Sequence, residues 1–568
     1  MNDGTTPVES VASAAPTDGQ PEQSAGHAWA VGAIALALLV WIGFRWATGI
    51  ELEDALITYR YAENLAEGRG FVFNVGERVL GTTTPLYTLL LAAGGMLFGV
   101  GNIPLLSNIF GLLAGAGAGW AAYRLCRAFE VGPGWSALTV LLLCVHPKML
   151  WTTTGGMETP LVLCLMMMSL LATVRRSWTP ALIVVALLVL TRPDGLIWAG
   201  LITLVVIWHA GRRALGPLLV AALLVGAWVG FAFFYFGSPI PHSVTAKRAL
   251  ELTYTAAQTE AYTLHGYLHW YLAQMWLPHT YGFAKHQVWG WLVLMGLGVL
   301  GIARRPDRAR PMMLLPLFVV AFCAAFYLGR SPRFPWYSAP LTWCAVMLGM
   351  LGLYELWIVF SLYWREFKLP NGVLGAARLA ALGALAMTIV NRGLVTYRYE
   401  RDNQLNETEL RRGLGLWLKE NTDPQAVIAT EAIGYQGYYS DRKLLDLAGL
   451  ICPEVVALLR ETQSPGATFN RIVRELAPEY IVLRSFEVAD NTHFHGGPLL
   501  PEPDDVRYFH QHYAPAVERV APRPEAPNWR VRVGDEWKSQ AEVTVYRRTG
   551  PRSAPPAEAG ESGAAVVP

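Results

Sequence analysis

The sequence is poor in charge. Only 15% of its 568 residues are Asp, Glu, Lys or Arg, whereas 53% are hydrophobic. Soluble domains carry roughly 25% charged residues, so the deficit indicates a chain that spends much of its length in lipid. The net charge is +2, which says nothing in favour of a nucleic-acid partner, and none is expected.

Cysteine is also scarce, and no CxxC pair is formed by the six copies. Such scattered cysteines argue against a structural zinc site and against a disulfide framework. Most of them lie in apolar stretches and are expected to pack as small apolar residues: Cys126, Cys144, Cys164, Cys323, Cys344 and Cys452.

No cleavable leader is expected in the N-terminal region. No basic segment precedes the first apolar run, and no cleavage site follows it. Residues 1–26 are rich in Ala, Pro, Gly and Ser, which predicts a disordered cytoplasmic tail before an uncleaved membrane anchor. Residues 551–568 have a similar composition and are predicted to be a second disordered tail.

Long apolar runs, by contrast, are abundant. About 20 apolar residues cross a bilayer as a helix, and the chain offers about eleven such segments. The predicted spans are 28–48, 103–123, 135–150, 159–174, 180–192, 195–208, 216–236, 288–303, 311–329, 336–360 and 372–391.

The run 85–99 is assigned to the membrane interface rather than to a span. Only then do the basic clusters of the short loops, from Arg124 to Lys368, share one side with the N-terminus. Positively charged loops stay in the cytoplasm. The sequence therefore predicts a multi-pass protein of the plasma or inner membrane, with a cytoplasmic N-terminus and an extracytoplasmic C-terminus.

The predicted fold class is an all-α polytopic membrane domain followed by an extracytoplasmic α/β domain. The membrane domain covers 27–392 and has external loops at 49–102 and 237–287, and the α/β domain covers 393–550. Its predicted helices are 406–421 and 468–477. Its predicted strands are VIAT (427–430), KLLDL (443–447), YIVL (480–483) and a final edge strand, VTVYRR, near 545.

The residues best placed for chemistry follow the first span. Glu51, Glu53 and Asp54 lie where the helix meets water, at the depth of lipid headgroups. An acid that moved to mid-span would cost about 2.5–3.5 kcal/mol. The plain interpretation is a solvated helix end, and the functional one is a general base. Downstream, TTTP at 82–85 is predicted to begin the interfacial helix with hydroxyl caps.

A family resemblance rests on this region. The acidic pair, then RYAENLAEGRGFVFNVGERV (60–79), then the Thr-rich turn resemble the signature of the GT-C glycosyltransferases, and in particular of the arabinofuranosyltransferases. Further stretches agree in order and spacing: TTTGGMETPL (152–161), LTRPDG (190–195), SPIPHSVTAK (238–247) and RFPWYSAP (333–340).

The resemblance implies a polyprenyl-phosphate sugar donor, a general base and an inverting displacement. It maps the acidic pair to Glu53 and Asp54. Because the family has Asp at both places, Asp54 is favoured as the base and Glu53 as its helper. The residues assigned to substrate are Glu158, Arg192, Lys247, Arg333, Trp336 and Tyr337.

Plainer alternatives stay open for these substrate residues. Lys247 and Arg333 are equally suited to anchoring at headgroups, and Arg192 is equally suited to pairing with Asp194. Trp336 and Tyr337 also fit an interfacial aromatic belt.

No metal ligand is assigned. His493 and His495, and His510 and His512, have i, i+2 spacing without a third ligand, so solvated histidines are expected. No cofactor is certain. A divalent cation held by Glu53, Asp54 and Glu158 is left open.

The predicted function is transfer of a pentose or a hexose from the donor to a cell-envelope glycan or lipid. One alternative is a transporter or flippase for a lipid-linked glycan, which would place polar residues deep in several spans and show a repeat. Another is a non-catalytic envelope-assembly protein. The outer domain is expected to recognise the acceptor, with Tyr435, Tyr438 and Tyr439 as candidate sugar-binding surfaces.

Overall fold

The computed structural model describes residues 19–254, 263–276, 285–305, 310–331, 334–367, 371–494, 497–526, 529–533 and 536–550. The fold is mostly helical. Its N-terminal helices are α1 (Gly19–Thr48), α2 (Glu53–Ala66), α3 (Pro85–Phe98), α4 (Ile103–Ala128), α5 (Pro133–Val145), α6 (Pro147–Thr154), α7 (Thr159–Val174), α8 (Trp178–Thr191), α9 (Gly195–Ala210), α10 (Leu215–Phe236), α11 (His242–Tyr254), α12 (Leu264–Trp276), α13 (Lys285–Arg304), α14 (Leu314–Leu328), α15 (Ala339–Glu366) and α16 (Asn371–Asn406).

Each predicted span falls on one or two of these helices, and the predicted interfacial run falls on α3. Among the described residues, five helices are long and apolar enough to cross a membrane, or six if the bent α6–α7 pair counts as one span. Further apolar helices are shorter. The chain is a multi-pass membrane protein, and the number of eleven crossings stays a prediction.

The apolar run that contains α9 and α10 is interrupted by a tight turn. It is 42 residues long, and a straight helix of that length would extend about 63 Å, twice the hydrocarbon thickness of about 30 Å. A 3₁₀ turn, Gly211–Ala214, breaks it, and Gly211 has a φ of 55°. Both helices pack against α8, so the turn allows the chain to fold back.

A second break separates α6 from α7, whose axes differ by 112°. Gly156, within the break, has a φ of 86°, a conformation that glycine adopts without strain. A Cβ atom at this position would also collide with the hydroxyl of Tyr59 on α2. The glycine therefore lets α2 lie close to the break, and Glu158 stands at the N-cap of α7.

Residues 407–548, termed here the C-terminal region, contain a five-stranded mixed sheet with the order β2-β1-β3-β7-β4. β1 pairs in parallel with β2 and β3, whereas β7 pairs antiparallel with β3 and β4. β5 and β6 form a separate hairpin. The strands are β1 (Val427–Thr430), β2 (Lys443–Asp446), β3 (Tyr480–Arg484), β4 (Tyr513–Val520), β5 (Arg530–Val533), β6 (Glu536–Ser539) and β7 (Glu542–Arg548).

The helices of the C-terminal region surround this sheet. The predicted helix 406–421 is present as a π-helical turn, Glu407–Arg412, followed by α17. The predicted helix 468–477 is present as α20 and a second π-helical turn, Ile472–Leu476. The helices are α17 (Gly413–Asn421), α18 (Ile433–Ser440), α19 (Pro453–Thr462), α20 (Pro465–Arg471), α21 (Ser485–Ala489) and α22 (Pro503–His512).

The first three predicted strands are present at the expected positions, but the edge assignment of the last one is wrong. β7 lies between β3 and β4, and Val545 at its centre is fully buried. The charged residues of this strand, Arg547 and Arg548, occupy only its end.

The C-terminal region packs on the loop that follows α2. Phe71 and Phe73 join one hydrophobic core with Ile428 and Leu444 of the sheet. The side-chain amide of Asn74 donates to the Leu444 carbonyl at 2.9 Å, and its oxygen accepts from the Leu444 amide at 3.0 Å. Asn74 thus pairs with the exposed side of β2 as a neighbouring strand would, and this fixes the C-terminal region against the loop.

Candidate active site

Two consecutive acids begin α2. Glu53 and Asp54 follow Leu52, whose backbone is extended. Neighbouring residues on a helix point about 100° apart, so the two carboxylates face different surroundings. Asp54 lines a cavity, whereas Glu53 contacts the C-terminal region.

The cavity beside Asp54 has a volume of about 50 Å³ and is enclosed by segments that are distant in the chain. They are α2, the threonine turn at 82–84, the α6–α7 break, the α8–α9 turn, α11, the segment 334–338 and the loop after β2. The residues that line it include Asp54, Thr58, Thr82, Thr83, Thr84, Glu158, Arg192, Ser243, Lys247, Trp336, Tyr337 and Leu450.

The structure thus places six of the eight predicted site residues around one cavity: Asp54, Glu158, Arg192, Lys247, Trp336 and Tyr337. Glu53 is not among the lining residues, and Arg333 lies outside the described residues. The roles assigned to the six stay predictions.

Asp54 is partly buried. Burial raises the pKa of its carboxyl above the ordinary value, and the positive charge of Lys247 opposes this shift. A carboxylate with a raised pKa is a stronger base. The position and the surroundings of Asp54 therefore suit proton abstraction.

Lys247 projects from α11 into the same cavity, and its ammonium nitrogen lies 4.8 Å from the centre of the Phe334 ring. Burial acts to lower the pKa of Lys247, but the Tyr337 phenol and the carboxyls of Asp54 and Glu158, which face it, hold that pKa above its ordinary value. Lys247 is therefore charged in the cavity.

Arg192 forms a paired cluster with acids. Its guanidinium donates to both carboxylate oxygens of Asp194, at 2.7 and 2.6 Å, and lies 3.5 Å from Glu158. The group is 2% exposed and lies 5.4 Å from the centre of the Tyr337 ring. Arg192 thus pairs with Asp194 and also lines the cavity, and its assignment to substrate stays a prediction.

An aromatic turn (residues 334–338) supports both cations. It contains the 3₁₀ segment Pro335–Ser338. Phe334 lies against Lys247 and Tyr337 lies against Arg192. Trp336 stacks on Phe334 with a centroid distance of 4.7 Å, so the rings form one continuous surface at the cavity.

Sequence reasoning missed Ser243, one helical turn before Lys247. Its side chain is 3% exposed and lines the cavity. Among the described residues its hydroxyl has no hydrogen-bond partner. The i, i+4 spacing within SPIPHSVTAK places Ser243 on the same helix face as Lys247. This spacing is the pattern by which Ser243 was identifiable from the sequence.

The threonine turn does not cap α3 through its hydroxyls, as the sequence had suggested. Thr84 occupies the N-cap without a side-chain capping bond. The hydroxyl of Thr82 instead accepts from the Thr84 amide at 3.2 Å, and the Thr58 and Thr84 hydroxyls are 3.3 Å apart. These hydroxyls bond to one another at the cavity, and Pro85 begins the helix.

Glu53 holds the C-terminal region, and its assignment as a helper of Asp54 stays a prediction. Its carboxylate accepts from the backbone amides of Gly434 at 2.6 Å and Tyr435 at 3.3 Å, and Arg411 lies 3.8 Å away. The two amides belong to the first turn of α18, where a helix favours negative charge. We name this contact the Glu53 clasp.

The neighbouring tyrosine is part of the same interface and not a sugar-binding surface. Tyr435 is fully buried, and its hydroxyl donates to the Glu51 carbonyl at 2.9 Å. Tyr439 is partly exposed, and its hydroxyl donates to the Glu51 carboxylate at 3.2 Å. The assignment of Tyr435 to the acceptor is therefore corrected, because its ring is enclosed by protein.

An apolar groove of about 520 Å³ lies next to the cavity. Two of its lining residues are chain neighbours of cavity residues: Pro85 follows the threonine turn, and Leu190 precedes Arg192 by two positions. Its walls come from α3, α8, α10 and the loop after α2, and include Leu86, Leu89, Leu224, Ala227, Trp228 and Phe231.

The histidines do not converge on a site. Among the residues that the structure describes, no group of three or more His, Cys, Asp or Glu side chains is arranged to hold a metal ion. His510 and His512 lie in the last turn of α22, and His495 lies outside the described residues. The divalent cation stays an open question.

Comparisons with known proteins agree with this architecture. Residues 398–546 match a family described as a domain of unknown function, DUF8728. A terminal beta-(1->2)-arabinofuranosyltransferase from Mycobacterium tuberculosis is 26% identical over 291 residues, which cover 46% of this chain and 42% of that protein. The match thus spans less than half of the length of this curated relative.

Solved structures cover nearly the whole chain. ArnT from Cupriavidus metallidurans bound to undecaprenyl phosphate aligns with a TM-score of 0.54 at 14% identity, over 91% of this chain and 98% of ArnT. The apo form aligns with a TM-score of 0.53 at 14% identity, over 92% and 98%.

The fold is therefore that of the GT-C membrane glycosyltransferases, the class to which ArnT belongs. The resemblance stated from the motifs is confirmed at this level.

Proposed function

We propose that this protein transfers a glycosyl unit, a pentose or a hexose, from a polyprenyl-phosphate donor to a cell-envelope glycan or lipid. The observation that carries the proposal is the cavity in which Asp54 and Lys247 meet beside an apolar groove. A base, a cation and a lipid-sized channel are the parts that such a transfer requires.

The donor phosphate binds at Lys247 and Ser243 in this proposal. The leaving phosphate carries negative charge and is stabilised by a fixed cation. Arg192 is already held by Asp194 at 2.6 Å, whereas the Ser243 hydroxyl has no partner among the described residues. Lys247 and Ser243 are therefore the groups that a phosphate would contact at the lowest cost in broken bonds.

Asp54 acts as the general base. The acceptor hydroxyl attacks the anomeric carbon, Asp54 accepts its proton, and the lipid phosphate departs on the opposite side of that carbon. One carboxylate and one displacement give inversion, because no covalent sugar-enzyme intermediate forms. The pKa of Asp54, raised by burial, supports this role.

The apolar groove accommodates the first isoprenoid units of the donor. Its walls are almost entirely hydrocarbon and it has a volume of about 520 Å³. The structural relative bound to undecaprenyl phosphate supports a donor of this lipid class.

The aromatic residues of the cavity contact the sugar in this proposal. Trp336 and Tyr337 line the same cavity as Asp54 and Lys247, and flat aromatic rings suit stacking on a sugar ring.

The predicted topology completes the proposal. The N-terminus is cytoplasmic, and the cavity and the domain at 393–550 are extracytoplasmic, following the membrane domain at 27–392. Labelling of a cysteine introduced at Asn491, from either side of the membrane, tests this orientation. Labelling from the cytoplasmic side alone would overturn it.

The function is tested with purified protein and a panel of polyprenyl-phosphate pentoses and hexoses. We expect one donor to release its lipid phosphate when an envelope acceptor is present, and Asp54→Asn to stop the release. If no donor in the panel loses its sugar while the protein is folded, the proposal fails.

The groove is tested by filling it. Ala227→Trp on α10 places a bulky ring among the lining residues, whereas Leu223→Trp on the same helix alters an exposed position. We expect Ala227→Trp to weaken the binding of undecaprenyl phosphate and Leu223→Trp to leave it unchanged. Equal effects of the two variants would place the lipid elsewhere.

A further inference from the structure

Lys148 is an ionisable residue that lies within a predicted membrane span but does not line the cavity. It occupies the first turn of α6, and its side chain is fully buried. Ionisable residues inside membrane segments are costly to bury, are rare and are usually retained for function.

The side-chain nitrogen of Lys148 holds the aromatic turn. It donates to the Ser338 hydroxyl at 2.5 Å and to the Pro335 carbonyl at 3.2 Å. The Ser338 hydroxyl in turn donates to the same carbonyl at 2.7 Å. One nitrogen atom thus binds both ends of the 3₁₀ segment Pro335–Ser338.

A second contact joins the same two elements. Trp151, one turn after Lys148 on α6, stacks on Trp336 with a centroid distance of 6.4 Å and an interplanar angle of 25°. The position of the aromatic turn is therefore defined from the side of α6, by a polar and an aromatic contact three residues apart.

The rings of this turn lie against the two cations of the cavity. Phe334 is 4.8 Å from the Lys247 ammonium, and Tyr337 is 5.4 Å from the Arg192 guanidinium. A cation over an aromatic face is attracted to it. A displacement of the turn would therefore displace the preferred positions of both cations.

We propose that Lys148 is a positioning residue, which sets the place of the aromatic turn and through it the geometry of Lys247 and Arg192. The inference rests on the proposed function, because Lys247 is taken to meet the donor phosphate. An apolar side chain would pack α6 without the cost of burying a polar group. The hydrogen-bond donors of the Lys148 side chain, however, bind both acceptors of the turn.

The test uses the full-length protein and undecaprenyl phosphate as the probe. Lys148→Met preserves length and removes the donors, and Thr139→Val is the control, because it removes a buried hydroxyl bonded within its own helix, α5. We expect Lys148→Met to weaken binding about 10- to 100-fold, as small misplacements in a site do. The melting temperature should stay close to that of Thr139→Val.

Coupling separates positioning from general stability. In a Lys247→Ala background, we expect Lys148→Met to cost less affinity than in the wild type, because both substitutions affect one interaction. Fully additive losses, or an unchanged affinity in Lys148→Met, would overturn the proposal.

Amide hydrogen exchange over residues 334–342, in protein without ligand, provides a readout independent of the donor. Exchange should be faster in Lys148→Met than in Thr139→Val, and equal rates would overturn the proposed anchor. If the wild type does not bind undecaprenyl phosphate, the proposed function fails, while this measurement still decides the anchor. If Lys148→Met does not fold, Ser338→Ala, which removes one acceptor, is judged by the same readouts.

Discussion

Two adjacent residues of α2 place their carboxylates on different sides of the helix. One carboxylate faces the cavity and the other forms the Glu53 clasp. Asp54 faces Lys247 among the polar groups of the cavity, while Glu53 accepts two backbone amides of α18. Burial raises the pKa of both carboxyls above their ordinary values. The pKa values of the two carboxyls are thus shifted in the same direction, whereas the groups that the two carboxylates contact are different.

This difference shows that an acidic pair at a membrane boundary does not identify two catalytic groups. The rotation of about 100° per helical residue separates them. Asp54 faces the cavity in which the substrate is proposed to bind. Glu53 fixes the C-terminal region next to Asp54. The pair therefore combines a candidate base with the contact that holds a wall of its cavity in place.

The separation of roles is tested most directly by replacing the carboxylate with its amide at each of the two positions. Asp54→Asn should lower transfer about 10²- to 10⁴-fold, because a general base contributes that much. It should leave the binding of undecaprenyl phosphate largely intact, since the amide preserves size. Glu53→Gln, the matched control, should retain most of the transfer.

Both rates are measured at saturating donor. Near-full turnover in Asp54→Asn, or equal losses in the two variants, would contradict the separation of roles.

Removing the cation of the cavity should have the next largest effect. Lys247→Ala should weaken donor binding about 10- to 100-fold, since a hydrogen bond to a charged group contributes about 1.5–3 kcal/mol. Lys247→Arg should lose less, because it keeps the charge. Arg248→Ala, at the exposed neighbouring position of α11, is the control for surface charge.

Binding of undecaprenyl phosphate by titration measures these differences. If Lys247→Ala binds as the wild type does, Lys247 belongs to headgroup anchoring instead.

The pH dependence of transfer should report on the cavity acid. Asp54 must be deprotonated to act, and burial raises its pKa above 3.8. The logarithm of kcat/KM should therefore rise with pH through a midpoint above 3.8, with a slope near one below that midpoint. Lys247 lowers this pKa, so Lys247→Ala should move the midpoint to higher pH.

A pH profile of kcat/KM for the wild type and for Lys247→Ala checks the sign. A shift of the midpoint to lower pH in Lys247→Ala would contradict the assignment.

The smallest effect on transfer, and a measurable one on stability, is expected at the clasp. Glu53→Gln replaces charge-assisted hydrogen bonds with neutral ones, and should lower the free energy of unfolding by about 1–3 kcal/mol. Amide exchange in α18 should accelerate. Glu63→Gln, on the same helix in an ion pair with Arg60, is the control, and a larger loss there would argue against the clasp.

Much of the architecture was predictable because its signal is local. Apolar runs predicted the positions of the membrane helices, and short β-branched runs such as VIAT predicted β1 to the residue. β4 was missed, because Pro515 and the charges of Glu518 and Arg519 interrupt its apolar pattern. Its ladder has a register shift between Pro515 and Val517, a place where a sheet tolerates proline.

The site was predictable in its parts and not in its contacts. Motif resemblance selected Asp54, Glu158, Arg192 and Lys247, which do meet at one cavity. Leu450 lines the cavity and Glu53 contacts α18 only because the fold brings together segments that are about 380 residues apart in the chain. No local pattern in the sequence reports such distant pairing, so these features required the fold.

The pairing of Asn74 with Leu444 has a consequence for biosynthesis. The two residues are 370 positions apart, and a ribosome adding about 5–20 residues per second needs about 20–75 s to cover that distance. During this interval the loop after α2 has been made, but β2, which its Asn74 will bind, has not. Phe71 and Phe73 have no sheet to cover them until the last quarter of the chain emerges. A nascent chain stalled before β2 should therefore present this loop to proteases and chaperones, and release of the stall should withdraw it.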